Sequence, residues 1–473
     1  MASPNISFDK IPSSIRKPGK YFEFNTTLAV RTLPANKQEV LIVAGRTSGG
    51  SVAENVPVSV FSDVQAAQYF GYGSQAHIMA SAMLNAYPYV SLTMVGVDDS
   101  ATGVPAVGTV AVDAAAGASG TLRLYVGNAY VEVAVAKGDA AADIAADLKD
   151  AIDNKPILPV TAAVLTDTLT LTAKNNGTCG NDIGLAYTAA NDCCALTVTA
   201  MSTGSGDPDI TTALSTVFAE QYTKICVPWT VSEQLEDLSD HLESVSGPLE
   251  QRPGVGVFGY TGALADAVTL AAGLNDGRMV CAYLRGTRSL PMEVAAAMAG
   301  VMASEEDPAR PLNTLELDGI HAPDIDDRLS RTEQENLLYN GVTPLEVGPG
   351  EAVQIVRAVS TYTVDAQGID DVSLLDVTTI MTLDYVRKAC RTRIALRFPR
   401  SKLSSKTPPK VRSELLDVLY QLESLEIVEA VSDNIDLLVV ERDTQDANRL
   451  NAKIPTDVVN GLHVFAGRID LLL

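Results

Sequence analysis

The sequence predicts a multidomain α/β protein: a domain built on buried parallel strands, interrupted by a β-rich insert, then an α+β C-terminal domain with extended terminal strands. Three observations predict it. Short apolar runs alternate with helical periodicity over residues 40–97 and again over 222–302, the pattern of parallel strands covered by helices on both faces. Between them, residues 99–206 shift to Ala, Thr, Gly and Val with hairpin signals. The length, 473 residues, suits about three domains at ~150 residues each.

Residues 1–35 read as an arm. Prolines at 4, 12 and 18 precede an alternating run in which Phe22, Phe24, Leu28 and Val30, after Tyr21, share one face of a strand. Residues 36–98 form the first part of the α/β domain. A strand spans 40–44. Ser62 caps a short helix that Gly71 ends, and Ser74 caps a second carrying Ile78, Met79, Ala82, Met83 and Ala86 on one face. A strand follows at 90–97.

In the insert, Gly127-Asn128 joins strands at 121–126 and 130–135. Asp139 opens a helix with Ile144, Leu148 and Ile152 at four-residue spacing, and two strand-like runs lie within 160–173. Because the insert interrupts another domain, its ends must lie close together, and an outward-facing surface module is expected.

Residues 207–345 resume the α/β domain. Strands are predicted at 222–227, 255–259 and 278–284, and helices at 232–244, 263–274 and 291–302, the last opening with Pro291. Residues 308–350 show little periodicity and read as a linker. The C-terminal domain, 346–473, shows a strand at 353–361, helices at 376–398 and 409–425, and strands at 427–431 and 435–441.

Composition limits the function. No apolar run is long enough to span a membrane, and the N-terminus lacks a secretory pattern. The six cysteines make no C-x-x-C pair, so free thiols are expected. A net charge of −23 disfavours nucleic acid as a partner. Yet residues 387–412 hold ten basic residues and no acid. Such a patch either meets an acidic partner or offsets acids within the same chain.

Catalytic signatures are missing: there is no G-x-S-x-G, Walker or H-E-x-x-H motif, and the four histidines stand alone. Gly71 to Ala76 match G-x-G-x-x-A but follow a helix, so a turn and helix cap is the expected role. Asp324, Asp326 and Asp327 lack the Gly and distant Glu of a calcium loop. No catalytic, cofactor or metal residue is expected.

The chain's ends carry the strongest signal. Leu462, Val464, Phe465, Ile469 and Leu471 make an apolar terminal strand. An unpaired apolar edge is an aggregation hazard, so the strand pairs either within its own domain or with a neighbouring subunit. The run from Tyr21 to Val30 invites the same two readings. A chain that gives one strand and accepts another makes head-to-tail contacts, which generate rings or helices.

Several segments resemble contractile tail sheath proteins of the Mu-like bacteriophage branch. They are Phe70-Gly71-Tyr72-Gly73-Ser74-Gln75-Ala76-His77 through Asn85-Ala86-Tyr87-Pro88-Tyr89, then Gly180-Asn181-Asp182-Ile183 in the insert. Near the C-terminus, Leu437-Leu438-Val439-Val440-Glu441-Arg442-Asp443, Asn448-Arg449-Leu450-Asn451 and Ile454-Pro455-Thr456-Asp457-Val458-Val459-Asn460 complete the set. The resemblance implies a structural subunit of a helical sheath, not an enzyme and without a cofactor. Its central domain would have a subtilisin-like topology without protease activity. Its partners would be itself, the tail tube protein, and baseplate and tail terminator proteins, with neither nucleic acid nor membrane. It would reside in the virion tail after assembly in the host cytoplasm, and contraction would drive the tube through the host envelope. The C-terminal domain would lie nearest the tube, so Arg393, Arg397, Lys402, Lys406, Lys410 and Arg412 are expected to face it. The rival reading, a subtilisin-like hydrolase, needs a Ser-His-Asp set that no nucleophile motif supplies.

Overall fold

The computed structural model describes residues 16–22 and 33–472. In chain order the first elements are β1 (Glu39–Gly45), β2 (Pro57–Val60), α1 (Asp63–Phe70), α2 (Gln75–Ala86) and β3 (Ser91–Val97). Both predicted caps form: the Ser62 hydroxyl accepts from the Gln65 N–H, and that of Ser74 from the His77 N–H. Gly73 closes the turn before α2 at φ +74°, where a Cβ would stand 2.2 Å from the Leu158 carbonyl oxygen. The glycine pattern is therefore a turn and a cap.

The insert contributes β4 (Pro105–Val112), β5 (Gly120–Val126), β6 (Ala129–Val135), α3 (Ala141–Asp153), β7 (Val160–Leu165), β8 (Thr168–Asn176), β9 (Leu185–Ala189) and β10 (Leu196–Ser202). They form two antiparallel sheets, β10-β4-β8-β7 and β6-β5-β9. Helix α3 buries Ile144, Leu148 and Ile152, as its spacing predicts. The insert's ends meet: Val104 bridges to Ser205. Its core is nonetheless continuous with that of the sheet domain. Buried Asn175 stitches the two together, accepting from the Gln75 N–H and donating to the Arg46 carbonyl and to Asp99.

The chain then returns through α4 (Thr211–Thr216), β11 (Lys224–Cys226), α5 (Ser232–Ser246), β12 (Val255–Tyr260), α6 (Leu264–Leu274), β13 (Met279–Tyr283), α7 (Pro291–Ser304), α8 (Arg331–Tyr339), β14 (Thr343–Val347) and β15 (Val353–Ile355). The main sheet has eight strands in the order β15-β14-β13-β12-β11-β1-β3-β2. Its interior pairs are parallel, and the edge pairs β2–β3 and β14–β15 are antiparallel. Every residue of β1 after Glu39 is buried, which requires cover on both faces. Helices α2 and α7 pack together over β1 and β12, while α5 and α6 pack against β12 and β13. Gly259 lets β12 touch the start of α7, where a Cβ would stand 2.1 Å from the Pro291 carbonyl oxygen.

Two expectations need correcting. Residues 308–350 are not simply a linker, since they hold α8 and β14. A capping box opens α8, with Ser330 and Glu333 each accepting from the other's backbone N–H. That S-x-x-E signature was readable in the sequence. The strand expected over 353–361 shortens to β15 and pairs with β14, so the main sheet extends past residue 345.

The C-terminal part comprises α9 (Val377–Arg397), α10 (Thr407–Ser424), β16 (Val428–Glu429), β17 (Val439–Arg442), β18 (Leu450–Lys453) and β19 (Asp457–Val458). It has its own core, including Val386, Ala389, Val411, Leu415, Leu419 and Leu422. Among the described residues no helix is long and apolar enough to cross a membrane.

One buried carboxyl gives this fold a pH dependence. Burial pushes Glu293, in the first turn of α7, up from 4.5 to about 7, although its carboxylate accepts from the Leu290 N–H. The folded state then holds a proton that the unfolded chain releases, so this group's contribution is full below about 4.5 and fades as pH rises to about 7. Wild-type stability minus that of Glu293→Gln should fall across that window, as followed by denaturant melts at stepped pH.

Candidate assembly surfaces

The terminal segment, residues 462–472, pairs with no strand among the described residues. After β19 the backbone enters no sheet. His463 makes the last side-chain contacts with the body: its ring nitrogens lie 3.2 Å from Asn313 Oδ1 and 3.5 Å from Asp376 Oδ1. Leu462, Val464, Phe465, Ile469 and Leu471 are 79–99% exposed. A monomer gains nothing from such a run of apolar side chains.

The C-terminal part also holds a ribbon with open edges. β17 and β18 pair only with each other among the described residues, Val439 opposite Lys453 and Arg442 opposite Leu450. A two-stranded ribbon is marginal alone and offers unpaired backbone along both outer edges. Beside β18 runs an apolar groove of about 620 Å³, lined by Val386, Cys390, Ile394 and Phe398 of α9, Val411 and Leu415 of α10, and Leu450 and Ile454.

At the other end, Tyr21 and Phe22 are exposed, and the Tyr21 hydroxyl donates to the Lys17 carbonyl. Phe24, Leu28 and Val30 lie outside the described residues.

The basic stretch divides in two. Arg393 is 4% exposed, and its guanidinium meets Asp417 at 2.5 Å and Glu414 at 3.2 Å. Arg397 lies 3.4 Å from the same Glu414. Arg412 donates to the Leu438 and Ile435 carbonyls. All three were expected on a tube-facing surface; Arg393 is buried within the chain instead, and the half-buried Arg397 and Arg412 help it hold α9, α10 and the β17 approach together. The physical reason is that acids of α10 meet Arg393 and Arg397 of α9, while Arg412 of α10 is taken up by backbone carbonyls. Lys402, Lys406 and Lys410, with Arg400, remain exposed.

Sequence reasoning missed a junction between the two units. Arg278, at the start of β13, makes a bidentate pair with Asp384 of α9, and Arg387 meets the same carboxylate at 2.8 Å. No local spacing signals a pair so distant in sequence.

The isolated chemical candidates stay isolated. His77 accepts from the Gly73 N–H through Nδ1 and faces Asp63 through Nε2 at 3.1 Å, and burial lowers its pKa. That is a structural turn lock. All six cysteines are buried and free, and burial raises the thiols of Cys226 and Cys281 far above their ordinary range. Asp324 immediately precedes a short 3₁₀ turn carrying Asp326 and Asp327, and no group of three metal-ligating side chains occurs among the described residues.

Comparison with known proteins places this arrangement. The phage tail sheath protein central domain family matches residues 203–361, and the phage tail sheath C-terminal domain family matches residues 370–471. The Mu-like prophage FluMu tail sheath protein of Haemophilus influenzae is 33% identical over 490 residues, covering 99% of this chain and 100% of the relative. Among solved structures, the sheath tail protein of Desulfitobacterium hafniense superposes with a TM-score of 0.52 at 12% identity, covering 94% of this chain and 97% of that one. The anti-feeding prophage helical sheath in its contracted state gives 0.51 at 11% identity, with 97% and 99% covered. This chain belongs to the phage tail sheath protein family, on its Mu-like branch.

Proposed function

We propose that this sheath subunit polymerises into a helical contractile tube by exchanging terminal strands, and that contraction drives an inner tail tube through a host envelope. The observation that carries the reading is the exposed apolar segment of residues 462–472, together with a two-stranded ribbon whose outer edges pair with no other described strand. One chain's end completes another chain's sheet, and the contact repeats head to tail. The tail tube, baseplate and terminator are its further partners, the virion tail is its location, and the host cytoplasm is its place of assembly. The subtilisin-like description of the main sheet belongs to the same proposal. It is supported by a block of parallel strands between antiparallel edges. The domain limits proposed are 36–98 with 207–345 for the sheet domain, extended through β15, residues 99–206 for the insert, and the remainder for assembly.

The work of contraction would come from repacking of subunit contacts, with two rigid bodies hinged where Arg278 and Arg387 share Asp384. This needs no cofactor and no catalysis.

The exposed lysines define what remains of the tube-facing patch. Single exposed pairs contribute about 0–1 kcal/mol each, but repetition around a tube multiplies them. Reversing Lys406 and Lys410 to Glu should leave self-assembly intact and weaken co-sedimentation with the tube, most visibly at low salt. Tube binding unchanged by both substitutions and by salt would remove the patch from the interface.

The insert is proposed to lie on the outer surface of the sheath, outside the polymer's mesh. Replacing residues 100–206 by a short Gly/Ser linker should lower stability, because the insert shares its core with the sheet domain. Tubes should still form in electron micrographs. A folded product without tubes would place the insert in the lattice.

A further inference from the structure

The starts of β11 and β12, the approach to β1 and one face of α9 enclose a cavity of about 290 Å³ where the sheet domain meets the C-terminal part. Lys224 lines it and is only 3% exposed. Its ammonium has one hydrogen-bond partner among the described residues, Gln38 Oε1 at 3.2 Å, although it carries three donors. Among the described residues that line it, Lys37, Arg387, Lys388 and Arg391 stand around it against two carboxylates, Asp384 and Glu305.

Those acids are already engaged. Asp384 takes Arg278 and Arg387, and Glu305 takes Arg310 at 3.2 Å. Lys388 and Arg391 donate to the backbone carbonyls of Ala35 and Gln251 and have donors left over. In a chain of net charge −23, the cavity gathers unspent positive charge around a buried ammonium. Desolvation pushes Lys224 down to about 8, the response of a cation with too little negative charge near it.

We propose that this cavity is a binding site for a small free oxyanion of the phosphate class, held by Lys224, Lys388 and Arg391. Hydrogen bonds in which both donor and acceptor are charged are the strong ones, and Lys224 offers its donors from a buried position. The volume lies at the bottom of the range for small-molecule sites, about 300–1,000 Å³, so it fits an inorganic oxyanion with its water. Because Lys224 belongs to the sheet domain and Lys388 and Arg391 to α9, the bound anion bridges the two units and stabilises their junction by linkage. A carboxylate side chain of a neighbouring copy offers similar chemistry, and the experiment separates the two.

Isothermal titration calorimetry of the full-length unassembled chain with inorganic phosphate, at constant ionic strength in chloride, tests the site. Saturable one-site binding is expected. Lys224→Met and the double variant Lys388→Ala/Arg391→Ala should each weaken it at least about tenfold, the scale of one or two lost charge-assisted bonds. The exposed control Lys402→Ala should leave it unchanged. Lys388 and Arg391 are exposed, so their replacement reads the site even if Lys224→Met folds poorly. Absence of saturable heat, wild-type affinity in the double variant, or equal weakening by Lys402→Ala overturns the proposal. So does a subunit that ignores phosphate while Lys224→Met abolishes polymerisation, since the anion would then be a neighbour's carboxylate.

Discussion

Deleting residues 462–473 should abolish tube formation and leave a folded subunit. The segment's apolar side chains are almost fully exposed in their own chain, so the fold loses little: less than about 0.5 kcal/mol in a denaturant melt, as for other surface changes. The polymer loses far more. Burying each Leu, Val, Phe or Ile contributes roughly 1.5–3 kcal/mol, and ladder bonds add to that. Four or five such side chains therefore supply roughly 6–15 kcal/mol per contact, comparable to the ~4–15 kcal/mol that association itself costs. Without them the balance falls on the side of the monomer. Electron microscopy and sedimentation of the truncated protein check both halves. Normal tubes would dismiss strand donation, and loss of soluble folded protein would mean that the strand pairs within its own chain.

Arg393→Ala should destabilise the C-terminal part by about 1–3 kcal/mol, the range for taking one partner from partly buried polar groups. Its guanidinium is 4% exposed and bridges α9 to Asp417 and Glu414 on α10, so its loss breaks that bridge, with Arg397 still beside Glu414. Lys402→Ala, a few residues away and exposed, should change stability by less than about 0.5 kcal/mol. Chemical denaturation of the two variants side by side makes the test, with an early separate transition expected for Arg393→Ala if this smaller core unfolds by itself. Equal, small effects would return Arg393 to the surface.

The contrast within the basic stretch shows what the sequence could and could not tell. A run of cations without acids in 387–412 is visible as text, but its electrostatic partners, Glu414, Asp417 and Asp384, flank the run or belong to the next helix. Whether a charge faces solvent depends on how α10 folds back on α9, which is tertiary information. Elements governed by local physics were legible. Ser62, Ser74 and the Gly127-Asn128 hairpin all stand where caps and turn residues predict. So does the buried face Ile144, Leu148 and Ile152.

The strands missed were those whose apolar pattern is diluted. β4, Pro-Ala-Val-Gly-Thr-Val-Ala-Val, alternates buried and half-buried residues, but small side chains blur the alternation. β14 is only five residues long and contains Pro344. Its neighbour β13 pairs with it at only two positions, Ala282 and Tyr283, so little sequence is needed to specify it. The terminal segment was legible in hydrophobicity. That it pairs with no strand among the described residues was not, because two readings share one pattern.

Helical reconstruction of tubes grown from the purified full-length chain tests the central claim most directly. The account predicts hollow striated tubes in which residues 462–472 of one subunit lie as an added strand along the free edge of β17 or β18 in a neighbour. A chain that stays monomeric, or tubes in which that segment folds back on its own body and the ribbon edges stay bare, would contradict it.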